Sequence, residues 1–211
     1  MVEEISMYCV ITADINRSRD IKDREALQER MQKAIALINE QFTEQILVPF
    51  TITLGDEWQG LLKSLAKSYE IVATFRDALE GVSVSYGIGE GAIATPLLAR
   101  TSEMDGEAFH KSREALDTAK QNHHEVVFAT RDERTDLLLN ATCSLLQTIR
   151  ANWTERQREK IMAYKKYGTE TKVAEVLGVT QGDIHQAIRA GAGKIYLQCE
   201  NEVNEFLSLV K

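Results

Sequence analysis

The run Met7-Tyr8-Cys9-Val10-Ile11-Thr12-Ala13-Asp14 is almost continuously apolar and closes on a carboxylate, the pattern of a central strand covered on both faces. In an open sheet flanked by helices, the C-terminal end of such a strand is where a ligand sits. From Asp23 to about Phe42 the apolar residues Leu27, Met31, Ile35, Ile38 and Phe42 recur three or four apart, which predicts an amphipathic helix. Val48 to Leu54 then alternates Phe50, Ile52 and Leu54 with Thr51 and Thr53, and Gly55-Asp56 leads into Trp58 to Leu62. This predicts a β-hairpin with Asp56 at its tip. Ser64 is a fitting N-cap for a helix that carries Leu65, Tyr69, Val72, Phe75 and Leu79 and stops at Gly81.

The next strand, Val82 to Gly89, alternates large apolar residues with Ser and Gly. One of its faces is stripped of bulk, so another element must approach that face closely. A loop containing Pro96 leads to a helix from about Gly106 to Gln121, then a strand from Glu125 to Ala129, then a helix through Arg150. The order βαββαβ followed by αβα fits an α+β, ferredoxin-like sheet with one extra helix and strand. Beyond Arg150 the chain reads as helical only, which sets the expected domains at 1–150 and 151–211.

Composition narrows the function classes. Two prolines, twelve glycines and 44% hydrophobic residues describe a folded chain rather than a disordered or low-complexity one. Its apolar stretches are shorter than the roughly 20 residues of a membrane span, and the acidic start Met1-Val2-Glu3-Glu4 lacks the basic region of a signal peptide. A cytoplasmic location with no membrane partner is therefore expected. Cys9, Cys143 and Cys199 are widely spaced and read as reduced, mostly buried thiols. His123 and His124 have no carboxylate or cysteine at ligand spacing and read as solvated loop residues. No Walker loop, Gly-x-Ser-x-Gly or His-Glu-x-x-His occurs, which removes the commonest NTPase and hydrolase readings. The net charge of −7 is uneven: residues 1–150 carry −8, whereas residues 153–198 carry +3.

Asp14 at a strand end and Asp56 on a neighbouring hairpin tip form a candidate pair of carboxylates. With the adjacent Glu57 they could hold Mg²⁺ or Mn²⁺ on a nucleotide, with Arg17, Ser18 and Arg19 as phosphate partners. As capping and turn residues the same two aspartates need no ligand at all. In the tail, Thr154 is a plausible cap for a helix ending at Gly168, followed by helices from Thr169 to Leu177 and around Ile184 to Ile188, and by a last helix from Gln198 to Leu209. Ala174, Gly178, Ile184 and Ala187 have the spacing a helix-turn-helix requires. Thr180, Gln181, His185, Gln186 and Arg189 would then face base edges, and Lys165, Lys166, Lys172 and Lys194 would face phosphates.

The segments Val10 to Ser18, Thr53-Leu54-Gly55-Asp56-Glu57 and Tyr86 to Gly91 resemble the catalytic domain of class III nucleotidyl cyclases over roughly residues 7–130. The run Lys172 to Gln181 resembles sigma-factor-like helix-turn-helix units, and the whole chain is similar to the SatD family. The cyclase resemblance implies a palm domain in which Asp14 and Asp56 hold two metal ions, a cleft shared between two subunits, and Arg113 directed at the nucleotide. The chain departs from that pattern in three places: Arg17 stands at a glycine position, Ile52 at the base-selecting lysine, and Phe109 at the transition-state asparagine. Two function classes follow. The first is a DNA-binding transcriptional regulator, a homodimer, with a degenerate cyclase-like sensor or dimerization domain. The second is a metal-dependent purine nucleotidyl cyclase, transferase or nucleotide-binding protein acting through Asp14 and Asp56.

Overall fold

The computed structural model describes residues 7–210, so the acidic start Met1-Val2-Glu3-Glu4 lies outside the described residues. Contacts divide the chain into two compact units, Met1–Cys143 with Asn204–Lys211, and Ser144–Val203.

In the first unit β1 (Tyr8–Ile15) forms, as its near-continuous burial demands, an interior strand of a sheet. The hairpin β2 (Ile46–Leu54) and β3 (Glu57–Leu62) turns through Gly55 and Asp56, and β4 (Val84–Gly91) and β5 (Val126–Ala129) complete five strands among the described residues. Their order is β2-β3-β1-β4-β5. Neighbours run antiparallel except β4 and β5, which are parallel. The fold is thus mixed α+β, with β3 and β1 side by side although a helix and a strand separate them in sequence.

Helix α1 (Arg24–Gln41) starts where Asp23 accepts a hydrogen bond from the Ala26 N–H, an N-cap that satisfies one of the orphan amides of the first turn. Ser64 does not cap a long helix as the sequence predicts. It caps a short 3-10 turn, Leu65–Lys67, after which α2 (Ser68–Ala78) begins. The buried hydroxyl of Ser68 bonds to the Leu65 carbonyl and stitches the two pieces together. Phe75 of α2 lies against Phe50 and Trp58, with ring centroids 5.2 and 5.5 Å apart. Trp58 is opposite Ala13, and Ala13 is opposite Tyr86. Since directly paired residues share a face, this face of the sheet carries an aromatic core.

The other face receives α3 (Glu107–Asn122). Val10, Leu61, Ala108 and Phe109 form a buried cluster there. Gly87 and Gly89 of β4 lie directly beneath the helix: a Cβ at Gly87 would stand 2.1 Å from the Ser112 carbonyl oxygen, and one at Gly89 2.2 Å from the Ser112 nitrogen. The stripped face of β4 therefore exists to admit a helix backbone.

The second unit contains the end of α4 (Glu133–Ala151), then α5 (Glu155–Tyr167), α6 (Glu170–Leu177), α7 (Gln181–Ala190) and most of α8 (Gly193–Leu209). Threonines start three of these helices. Thr154 forms a reciprocal capping box with Gln157, Thr169 accepts from the Lys172 N–H, and Thr180 accepts from the Asp183 N–H. Helices α5, α6 and α7 pack against one another through the buried residues Ile161, Val173, Ile184 and Ile188. Helix α8 begins at Gly193, five residues before the Gln198 start expected from the sequence. Tyr167, expected on the apolar side of α5, is exposed and lies beside the Lys166 ammonium. Among the described residues no helix is long and apolar enough to cross a membrane.

Candidate functional site

Two places carry the chemistry singled out in the sequence. The first is the end of the sheet where β1 finishes and β3 begins. Asp14 and Glu57 are direct partners across β1 and β3, and Ser85 is the partner of Asp14 on β4. Two carboxylates facing each other across a ladder repel, and α3 meets both. The Arg113 guanidinium grips Glu57 through two hydrogen bonds, one of 2.7 Å, and Lys120 Nζ stands 2.9 Å from Asp14 Oδ1. Arg113, Asp117 and Lys120 are four and three residues apart, so they lie along one helix face. Deeper under the helix, the Thr12 hydroxyl shares a hydrogen bond with Ser112 and accepts another from Gln59. At the rim, Asn16 bonds with Ser83 and Ser85.

The two paired carboxylates titrate in opposite directions. Burial raises the Asp14 carboxyl above the usual aspartate range, the hydrogen bond and charge of Lys120 offset only part of this, and the nearby Asp56 and Glu57 charges raise it further. Glu57 feels burial too, but hydrogen bonds from Arg113 and Thr53 outweigh it and hold the group below its ordinary value. The Arg113 guanidinium is correspondingly raised by Glu57.

By linkage, Asp14 opposes folding at neutral pH, and this is relieved as pH falls through its raised native value. Glu57 stabilises above its unfolded value and stops doing so as pH falls through its lowered native one. Glu57→Gln is therefore expected to cost about 2 kcal/mol at neutral pH, the scale of hydrogen bonds to a charged group. Asp14→Asn should stay within about 1 kcal/mol of the parent, on the stabilising side, because Lys120 is partly exposed and water can take it over. Melting curves of both variants from neutral pH into the carboxylate range test this. Equal losses in the two would contradict it.

The remaining residues predicted for this site fall into place unevenly. Arg17 adopts a left-handed conformation, φ 51° and ψ 39°, keeping at an arginine the backbone that a glycine would take without strain. Arg17 and Arg19 are exposed, whereas Ser18 is buried. Phe109, for which the sequence resemblance implies an asparagine position, is buried in the cluster between α3 and the sheet. Sequence reasoning missed Lys120. Its one signal was the seven-residue interval from Arg113, two helical turns on the same face.

The donor set does not fit a divalent cation. Mg²⁺ and Mn²⁺ need several free oxygen ligands, yet Asp14 is held by Lys120 and both oxygens of Glu57 by Arg113. Among the described residues no group of three or more His, Cys, Asp or Glu converges as a metal site. None of the three cysteines forms a disulfide, and Cys9 and Cys143 are buried. Burial and the Glu90 charge keep the Cys9 thiol protonated.

The second place is the outer surface of α7. Gln181, His185, Gln186 and Arg189 are exposed while Ile184 and Ile188 are buried. Several neighbours are already engaged. The Thr180 hydroxyl is occupied as a cap, Lys172 pairs with Glu175, Lys165 with Glu200, and Lys194 and His185 both with Glu170. Asp183, which by sequence weakens a basic surface, is neutralised by Lys160 at 2.6 Å. Glu170, His185, Arg189 and Lys194 line one shallow cleft.

The sheet with its helices and carboxylate-bearing end defines a mixed α+β protein that carries a second, helical unit. The SatD family model matches residues 8–207. The chain belongs to the SatD family. No curated protein matches it. Among solved structures it is similar to the guanylate cyclase domain of RhGC from Catenaria anguillulae in complex with GTP, at 12% identity over 54% of this chain and 74% of that one, TM-score 0.43. It is also similar to a bacterial light-regulated adenylyl cyclase, at 13% identity over 58% and 75%, TM-score 0.43. A third is the active GGEEF domain of a diguanylate cyclase from Vibrio cholerae, at 13% identity over 60% and 84%, TM-score 0.44.

Proposed function

We propose that the chain is a sequence-specific DNA-binding regulator that acts as a homodimer, with residues 151–211 contacting DNA through α7 and residues 1–150 serving as a sensor or dimerization domain. The observation that carries this reading is the division of labour on α7. Ile184 and Ile188 anchor its inner side in the helical unit, whereas Gln181, Gln186 and Arg189 stand exposed on its outer side and make no ion pair among the described residues. Glutamine and arginine read adenine and guanine edges through paired hydrogen bonds, and these three residues are free to do so. The electrostatic contribution is modest, because Lys172 and Lys194 are shared with Glu175 and Glu170.

The alternative class is a purine nucleotidyl cyclase, transferase or nucleotide-binding protein using Asp14 and Asp56. It is favoured by the approach of these two carboxylates, with Arg17 and Arg19 exposed nearby in sequence. Lys120 and Arg113 count against a metal-bound nucleotide, because they already pair with Asp14 and Glu57.

Binding to a sheared genomic library, read by sequencing the retained fragments, tests the leading reading. The intact protein is expected to enrich a few sites built of inverted half-sites, as a two-fold dimer requires. Arg189→Ala should weaken those sites by roughly ten-fold or more, the scale of one lost base contact. Absence of enrichment at low salt would overturn the regulator reading. Turnover or tight binding of a purine triphosphate that depends on Asp56 would establish the alternative.

A further inference from the structure

We propose that Lys120 is a built-in counter-ion that stands in for a divalent cation at Asp14, so that this end of the sheet works without metal. The inference is independent of the DNA-binding reading.

The argument begins with β1 and β3, whose pairing sets Asp14 opposite Glu57 at the side-chain separation of direct cross-strand partners, where like charges destabilise. Asp56 adds a third negative charge close enough to act on Asp14. Such a cluster needs cationic compensation, which the chain itself supplies. Arg113 and Lys120 project from one face of α3, one to Glu57 and the other to Asp14.

Their placement is not an accident of flexible surface side chains. Helix α3 is seated on Gly87, Gly89 and Gly91 so closely that a Cβ at any of them would meet backbone atoms within 2.8 Å. The buried Thr12–Ser112 hydrogen bond fixes the helix along the strand direction. The helix cannot retreat from the carboxylates without opening the sheet face, so its cations are delivered by a rigid support.

A divalent cation at Asp14 must therefore displace the Lys120 ammonium, and it gains little from Glu57, whose Oε1 also accepts from Thr53. The attraction between Lys120 and Asp14 is lost in that exchange, which weakens any cation bound there. Removing the ammonium leaves Asp14 and the neighbouring Asp56 charge uncompensated, so a cation should then bind weakly at Asp14.

The probe is Mn²⁺ alone, followed by the loss of its free electron paramagnetic resonance signal and by the melting temperature of the full chain. The parent protein is expected to show no Mn²⁺ binding that depends on Asp14. Lys120→Met is expected to bind Mn²⁺ at least about ten-fold more tightly than any residual, Asp14-independent binding by the parent and to gain thermal stability from it. Adding Asp14→Asn should abolish both effects. Circular dichroism verifies that Lys120→Met is folded; should it not be, Lys120→Gln replaces it at this partly exposed position. Mn²⁺ binding by the parent that is lost in Asp14→Asn would overturn the proposal, and so would a folded Lys120 variant that binds no better than the parent.

Discussion

Gly87→Ala is expected to destabilise the first unit by about 3 kcal/mol or more, at the upper end of what overpacking a core costs. The added methyl would stand 2.1 Å from the Ser112 carbonyl oxygen and 2.3 Å from the Leu116 nitrogen. Both are helix backbone atoms, so no side-chain rotation can relieve the overlap and α3 must lift off β4. Its displacement would also pull Ser112 from Thr12, Arg113 from Glu57 and Lys120 from Asp14. A thermal scan should show a fall of roughly 6–12 °C for a chain of this size. Gly182→Ala is the control, since the nearest atom to its added methyl is the Thr180 hydroxyl at 3.9 Å. A Gly87 variant that melts with the control would show that α3 is less tightly seated than described.

Trp153→Ala should have a comparable effect confined to the second unit. The Trp153 indole N–H donates to the Gly191 carbonyl at 2.6 Å, and its ring meets Tyr196 edge-on at 4.7 Å. Truncating a buried tryptophan of this kind costs about 3–5 kcal/mol, and here it also strands a buried carbonyl. Amide hydrogen exchange is the appropriate readout, because it resolves local from global opening. Amides of α5, α6 and α7 are expected to lose protection while those of β1 and β4 keep theirs, and retention of genomic DNA should disappear with them. Equal loss of protection throughout the chain would refute an effect confined to the second unit.

Much of this architecture is legible in the order of residues. The unbroken apolar run ending at Asp14, the alternation before Gly55-Asp56 and the Ser/Gly alternation from Val82 each name a strand. The last also announces a close approach, since glycine on one face of a strand leaves room only something bulky will fill. The threonines before α5, α6 and α7 mark helix starts for the same local reason, because a side-chain oxygen at the N-cap satisfies amides one turn ahead. Ser64 shows the limit of that reasoning. A cap residue looks the same before a 3-10 turn as before an α-helix, and the break at Lys67 depends on what the next turn packs against.

The sequence by itself determined most of the strands and helices, the turn that carries Asp56, and the inward and outward faces of α7, because hydrophobic period and capping act within a few residues. Only the tertiary structure decided which partners the candidate residues meet. Asp14 and Glu57 become partners because β3 pairs with β1, and they become neutralised partners because α3 is the helix that lies on that face. Lys120 is more than a hundred residues from Asp14 in sequence, yet the fold sets its ammonium against that carboxylate. Lys172 and Lys194, basic in any count, are each held by a glutamate. Charge acts through space, so whether a side chain is free to meet a ligand is settled by which residues the fold brings within a few ångströms of it.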